Sequence, residues 1–191
     1  HFDSAAPMLD SSNYSGGSSN TLTDVSSALL GVAKFAEGRT MDSTAKYVTV
    51  ADTPSQQVLK SYLTLEAQVQ LLGLPGGNTN LPIVSKINGA TQSFEYGIKK
   101  QGSNYYIYFK GSLNGTTNTE KKSSSLTAGE TTALTAGFSH IAVTWNLGTI
   151  KFYFNGVAKG SGVIGTAGSS KLASSASPMR VTYNGSVTLN G

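Results

Sequence analysis

Carboxylates are the side chains of this sequence that could do acid–base chemistry, and there are ten of them. A retaining glycosidase needs two carboxyl groups about 5 Å apart. One strand supplies such a pair through Glu-x-Asp or Glu-x-x-x-Glu, because either spacing puts both side chains on one face. Neither spacing occurs, which argues against a glycan hydrolase unless carboxylates from different strands meet. The ten are Asp3, Asp10, Asp24, Glu37, Asp42, Asp52, Glu66, Glu95, Glu120 and Glu130.

Other catalytic arrangements find little support. A Ser–His–Asp site would have to use His1 or His140, and the sequence contains no Gly-x-Ser-x-Gly elbow. His140 lies in a predicted strand in the opposite phase to Ile141 and Val143, so we interpret it as a structural histidine whose ring covers the sheet and bonds a backbone carbonyl. A ligand or general-base role is the alternative, but such a base needs an orienting partner. The chain is therefore predicted not to be an enzyme.

Tyrosines at strand positions that point to solvent are the candidate ligand-binding residues. A tyrosine ring offers a flat apolar face with a hydroxyl at its tip, which suits sugar rings and protein interfaces alike. Packing against a loop or the second sheet is the alternative. The candidates are Tyr62, Tyr106, Tyr108 and Tyr153.

The composition indicates a turn-rich β protein. Of 191 residues, 22 are Gly and only 13% are charged. Charged residues are too few to cover the solvent-exposed faces of many helices. No apolar run approaches the ~20 residues of a membrane span, and the basic residues are scattered, so neither membrane insertion nor nucleic-acid binding is expected. Cysteine is absent, which removes disulfides and thiolate chemistry and leaves the compartment open.

Period-two alternation places the strands. From Ser61 to Leu71, apolar and polar residues alternate without a break, which predicts a half-buried strand. Phe94 to Phe109 predicts a hairpin turning at residues 101–104, and Phe138 to Phe154 predicts a second hairpin with Trp145 in the core beside Phe152. Sugar stacking is the alternative role for this tryptophan. Further strands are predicted at Lys46–Val50, Leu81–Ile87 and Met179–Tyr183.

The remaining segments predict connections. Thr21 to Glu37 has a possible apolar stripe, but its serines and glycine favour irregular strand and loop over helix. Asn114–Gly137 and Ala158–Ser177 are polar, with Lys121 and Lys122 at a solvated loop tip. The sequence thus predicts an all-β fold, a two-sheet antiparallel jelly-roll sandwich, as one domain over residues 1–191.

Several segments, in order along nearly the whole chain, resemble the laminin G-like, concanavalin A-like jelly rolls of bacterial surface and phage tail proteins. The opening His1-Phe2-Asp3 and the strand Tyr47–Val50 are similar to family segments. The most specific likeness is His140–Trp145 followed by Phe152–Val157, which resembles the family hairpin HVAVTY…LYVNGV. Ser4 replaces the usual glycine of the opening, and the family's closing strand is not reached. We therefore expect a fragment of a longer chain, completed by flanking residues or a neighbouring subunit.

The resemblance also implies a cofactor, a calcium ion. Family members often hold one Ca²⁺ at the rim through the opening Asp, backbone carbonyls and an Asp of the closing strand. Asp3 matches the opening position and Asp10 lies near it in sequence, and calcium requires such oxygens. The alternative is that both residues cap turns.

The function expected from these observations is a non-catalytic adhesion or decoration module on a phage particle or cell surface. Its partners would be glycan, a cell-surface ligand or neighbouring virion subunits, and its location the virion surface or the extracellular space. An accessory carbohydrate-binding domain of a secreted bacterial enzyme is the alternative, and a glycan hydrolase on the same scaffold a further one.

Overall fold

The computed structural model describes residues 8–9, 21–25, 29–32, 37–41, 47–52, 60–88, 91–181 and 189–190, with side chains for 47–52, 60–87 and 91–181. Nearly all of the regular structure is β-strand. The elements are β1 (Met8–Leu9), β2 (Thr21–Val25), β3 (Leu29–Val32), β4 (Glu37–Met41), β5 (Tyr47–Val50), β6 (Tyr62–Leu71), β7 (Thr79–Asn88), β8 (Thr91–Gln101), β9 (Asn104–Gly111), β10 (Thr119–Lys122), α1 (Ala128–Ala136), β11 (Ser139–Asn146), β12 (Thr149–Phe154), β13 (Val157–Val163), β14 (Met179–Val181) and β15 (Leu189–Asn190).

The strands of the described residues form two antiparallel sheets. The eight-stranded sheet has the order β1-β2-β5-β14-β7-β8-β9-β10, and the seven-stranded sheet has the order β13-β12-β11-β6-β15-β4-β3. Neighbours in the order are often far apart in sequence, as when β14 pairs with both β5 and β7. The predicted two-sheet jelly-roll sandwich is confirmed.

The apolar side chains that alternate along the strands fill the space between the two sheets. Leu63, Val69 and Leu71 of β6 are buried as predicted. Trp145 of β11 is only 2% exposed, and its ring stacks on Phe109 of the opposite sheet with centroids 5.9 Å apart. The indole N–H donates to the Lys60 carbonyl at 3.0 Å, so burial does not leave it without an acceptor. The core role predicted for Trp145 is confirmed.

Both predicted hairpins are present. β8 and β9 pair from Phe94↔Gly111 to Gln101↔Asn104, and β11 and β12 pair from Ile141↔Phe154 to Asn146↔Thr149. After β12, Asn155 at φ 47° and Gly156 at φ 80° make the positive-φ turn that the sequence predicts.

Regular structure also occurs in segments predicted to be connections. Asn114–Gly137 contains β10 and α1, so Lys121 and Lys122 lie on an edge strand rather than at a loop tip. Ala158–Ser177 contains most of β13. The helix begins because the Thr127 side chain accepts from the Glu130 N–H while the Glu130 carboxylate accepts from the Thr127 N–H. Within Thr21–Glu37 the described residues are strands, as favoured over helix. No described helix has the length and apolar character needed to cross a bilayer.

Candidate ligand-binding face

A row of polar side chains crosses the outer face of the eight-stranded sheet. Strand register places these residues side by side from β5 to β10, in the phase opposite to the apolar core residues, and Ser85 and Glu95 in the middle of the row are buried. We call the surface made by this row and the outward residues of β7 to β10 beside it the polar face. The row consists of Thr49, Arg180, Ser85, Glu95, Lys110 and Glu120.

Glu95 is the centre of the hydrogen-bond network on the polar face. Its Oε1 accepts from the Tyr108 hydroxyl at 2.9 Å and from Lys110 Nζ at 2.8 Å. Its Oε2 accepts from the Ser85 hydroxyl at 3.3 Å. Only 11% of the Glu95 side chain is exposed, and a carboxylate so placed needs such donors to offset its lost hydration.

Glu120 connects distant strands across the polar face. Its Oε1 accepts from Lys99 Nζ on β8 at 2.5 Å, and its Oε2 accepts from Asn80 Nδ2 on β7 at 2.9 Å. Burial raises the pKa of Glu120, but the hydrogen bonds from Lys99 and Asn80 and the charges of Lys99 and Lys110 outweigh that effect. The net pKa is lowered, so this carboxyl is ionised at neutral pH.

The Asn80–Glu120 hydrogen bond also reports the shape of the sheet. β7 and β10 are three strand spacings apart, about 14 Å on a flat sheet. The two residues are also offset along the strand direction. Asn80 is level with Tyr106 of β9, whereas Glu120 is level with Lys110 of β9, and these two positions are four residues or about 13 Å apart. Two such short side chains cannot bridge that diagonal unless the sheet curls. Twist and coiling therefore make the polar face concave along this diagonal.

The prediction that the Tyr108 side chain is exposed to solvent is wrong. Strand phase does place it on the outer side of the sheet, opposite Gly97 and Lys122, but it is completely buried. Long polar side chains cover it: Lys110 Nζ lies 5.5 Å from its ring centre, and its hydroxyl donates to Glu95. Burial and then the Glu95 charge raise the pKa of Tyr108 well above its usual range, so the hydroxyl stays protonated.

The other three predicted tyrosines lie on two different faces. Tyr106 is half-buried on the polar face, where Lys122 Nζ sits 3.9 Å from its ring centre. Tyr62, 64% exposed, and the half-buried Tyr153 lie on the outer face of the seven-stranded sheet. The four tyrosines therefore do not form one site.

His140 also lies on the outer face of the seven-stranded sheet. Its Nε2 is 3.3 Å from Glu66 Oε2, so the ring contacts a neighbouring carboxylate instead of the predicted backbone carbonyl. Asp3 and Asp10 lie outside the described residues, and calcium binding there stays a prediction. Within the described part of the chain, no three His, Asp or Glu residues cluster as a metal site would require.

Two carboxylates from different strands lie on the same face of the sheet. Glu95 and Glu120 flank Lys110 in register, an arrangement that spacing within one strand does not reveal. Each is paired with a lysine, and the pKa of Glu120 is lowered, which is the opposite of what a general acid requires. The arrangement is suited to donating and accepting hydrogen bonds at a polar surface.

A two-layer β-sandwich with a concave polar face is a common architecture of binding proteins. Over residues 42–191 the sequence matches the Laminin_G_3 family, described as the concanavalin A-like lectin/glucanases superfamily. The chain belongs to this family. Among proteins of curated function, no relative matches.

Solved structures of clostridial toxin domains have the same fold. The binding domain of Paraclostridial Mosquitocidal Protein 1 aligns with TM-score 0.68 and 13% identity, over 90% of this chain and 42% of that one. A botulinum neurotoxin type C structure, described for cell entry dependent on two ganglioside molecules, aligns with TM-score 0.68 and 13% identity over 96% and 43%. The binding domain of serotype G aligns with TM-score 0.65 and 14% identity over 95% and 44%. The chain therefore spans less than half the length of these structures, and the likeness concerns the fold.

Proposed function

We propose that this chain is a non-catalytic glycan-binding module, and that the glycan lies on the polar face. The observation that carries the proposal is the connected set of donors and acceptors around Glu95 and Glu120 on a concave surface. Sugars present many hydroxyl groups, and charged side chains already held in place form strong hydrogen bonds to them. The toxin structures of the same fold are binding domains, one of them from a toxin that interacts with gangliosides, which supports the class of ligand.

The chemistry of the polar face supports binding over catalysis. A hydrolase needs one carboxyl that is protonated at neutral pH, but Glu120 is held ionised by Lys99 and Asn80. The Tyr108 hydroxyl is buried and stays protonated, so it is not a nucleophile or a base. The groups nearest Glu95 stabilise it as a hydrogen-bond acceptor.

Binding of the 191-residue chain to a glycan array tests the proposal, with substitutions that distinguish the two outer faces. Tyr106→Ala, on the polar face, is expected to weaken binding at least fivefold, because the ring holds Lys122 Nζ at 3.9 Å from its centre and a cation–π contact contributes about 1 kcal/mol. Tyr153→Ala is the matched control, because this tyrosine is also half-buried but lies on the other sheet. The opposite pattern would move the site to the seven-stranded sheet, and absence of binding on the whole array would refute the function.

Catalysis is tested on the bound glycan itself. Prolonged incubation is expected to release no reducing ends. Release that disappears in Glu95→Gln would overturn the non-catalytic assignment.

The proposed setting is the outside of a phage particle or a cell, where neighbouring subunits are further partners. The low charge and the absence of cysteine are compatible with either. Antibody labelling of intact particles or cells tests this location. Calcium at Asp3 and Asp10 is part of the same proposal, and calorimetric titration with calcium chloride, repeated on Asp3→Asn, tests it.

A further inference from the structure

Lysines are concentrated around the end of the β8–β9 hairpin, beside the polar face. Lys99 and Lys100 lie close to the end of β8, Lys99 in the phase of the polar face and Lys100 in the phase of the core residues, opposite Tyr105. Lys122 of β10 reaches the turn from the polar face, and its Nζ donates to Gln101 Oε1 at 2.7 Å. The carboxylate that approaches this group is Glu120, which pairs with Lys99. Three ammonium groups thus lie near one carboxylate, which pairs only with Lys99, and the end of the hairpin carries an excess of positive charge.

Lys100 and Lys122 face tyrosine rings instead of carboxylates. Lys100 Nζ lies 5.4 Å from the centre of the Tyr105 ring, and Lys122 Nζ lies 3.9 Å from the centre of the Tyr106 ring. In the described part of the chain, neither amine forms an ion pair. A cation over a ring is held in place at little cost to its charge, so both amines are positioned to receive an anion.

The same contacts change the role of the tyrosines. A sugar that stacks on a ring requires its flat face, but an ammonium group occupies that side of Tyr106 at 3.9 Å. Tyr105 is tied down further, because its hydroxyl donates to the Pro75 carbonyl at 3.4 Å. These rings hold the lysines, and the lysines present the contacting groups.

The opposite outer face has no such excess. Among the described residues of β6, β11 and β12 on that face, the negative charge of Glu66 equals the positive charge of Lys151, and His140 contacts Glu66. The uneven charge distribution therefore concerns the end of the β8–β9 hairpin and the polar face next to it.

We propose that the glycan bound by this module is acidic and extends from the polar face around the end of the β8–β9 hairpin, where its carboxylate or sulfate groups pair with Lys122 and Lys100. This inference rests on the proposed function and specifies its ligand class. A charge-assisted hydrogen bond forms at each amine without displacing a carboxylate of the protein. Exposed ion pairs of this kind are weak singly, which implies several acidic groups along one polymer chain.

Polygalacturonate and its fully methyl-esterified form are the matched probes, since they differ only in the charge of their carboxyl groups. Calorimetric titration of the 191-residue chain is expected to detect binding to polygalacturonate, heparin or both, at least tenfold tighter than to the methyl ester. Raising the salt concentration is expected to weaken this binding, because exposed charges are screened.

The substitutions separate specific pairing from general attraction. The double change Lys100→Gln and Lys122→Gln is expected to weaken binding about tenfold, from roughly threefold for each amine. Lys122→Arg keeps the charge and is expected to bind nearly as the parent chain does. Lys151→Gln, an exposed lysine on the other sheet, is the control and is expected to change affinity less than twofold.

Each other outcome is decisive. Binding to the methyl ester or to neutral dextran that equals or exceeds binding to the acidic polymers would overturn the acidic ligand and leave the glycan-binding function standing. Equal binding to double-stranded DNA, or equal loss in Lys151→Gln, would also overturn it, because attraction would then be that of any polyanion. Failure to bind acidic and neutral glycans alike would refute the proposed function itself.

Discussion

The hydroxyl of Tyr108 provides the most direct test of the polar network. Tyr108→Phe removes only this hydroxyl, which is completely buried and donates to Glu95 at 2.9 Å. A hydrogen bond to a charged group contributes about 1.5–3 kcal/mol to stability. Because Glu95 Oε1 keeps the Lys110 amine at 2.8 Å, the carboxylate is not left without a donor. We therefore expect a loss near the lower limit, about 1.5 kcal/mol.

Urea unfolding followed by far-ultraviolet circular dichroism measures this loss. The dependence of the unfolding free energy on urea should be unchanged, since the change alters no burial, and the melting temperature should fall by about 3–6 °C for a chain of this size. Tyr62→Phe is the control, because Tyr62 is 64% exposed and its change should cost under about 0.5 kcal/mol. Equal stability of the two variants would refute the reasoning that the buried hydroxyl stabilises the network.

Two further predictions concern the same face. Gly97→Ala is expected to cost at least about 3 kcal/mol or prevent folding, because a Cβ there would overlap the Leu81 carbonyl oxygen. Gly73→Ala, where a Cβ meets nothing within 4 Å, should leave the unfolding midpoint in place, and an equal effect of both would contradict the packing argument. The stability that Glu120 contributes should be fully present above its ordinary pKa of 4.5 and be lost as the pH falls through its lowered folded value. The difference in melting temperature between the parent chain and Glu120→Gln should therefore shrink from pH 7 to about pH 3, and a constant difference would count against the ion pair.

Alternation predicted the strands of the core well because burial of one face is a local property of the sequence. β6, β11 and β12 follow their period-two patterns, and each turn residue at Asn155 and Gly156 adopts the conformation that its type favours. β13 escaped prediction because its residues are small and mostly exposed on both sides, which leaves no alternation to detect. Helix α1 did carry a signal, the capping-box spacing from Thr127 to Glu130.

The polar face was harder to predict because tertiary contacts create it. Phase placed Tyr108 on the outer side of the sheet, but its burial depends on side chains from neighbouring strands. The pairing of Glu120 with Asn80 joins residues 40 positions apart and requires the curl of the sheet. Neither the register nor the curvature can be read from any single segment. Phase within one strand was enough to select the tyrosines as candidates, but the charged network around Glu95 joins several strands and was not predicted.

Trp145 is the single tryptophan of the chain, and it lies between the layers against Phe109. Its intrinsic fluorescence is consequently an internal gauge of whether the two sheets remain in contact. Ligands that settle on the outer surface should leave its emission almost unaltered, whereas separation of the layers should shift the emission to longer wavelength. A spectral change during glycan titration would mean that binding on the outer surface alters the packing around Trp145 between the sheets. The emission of this one indole therefore reports whether ligand binding changes the structure of the core.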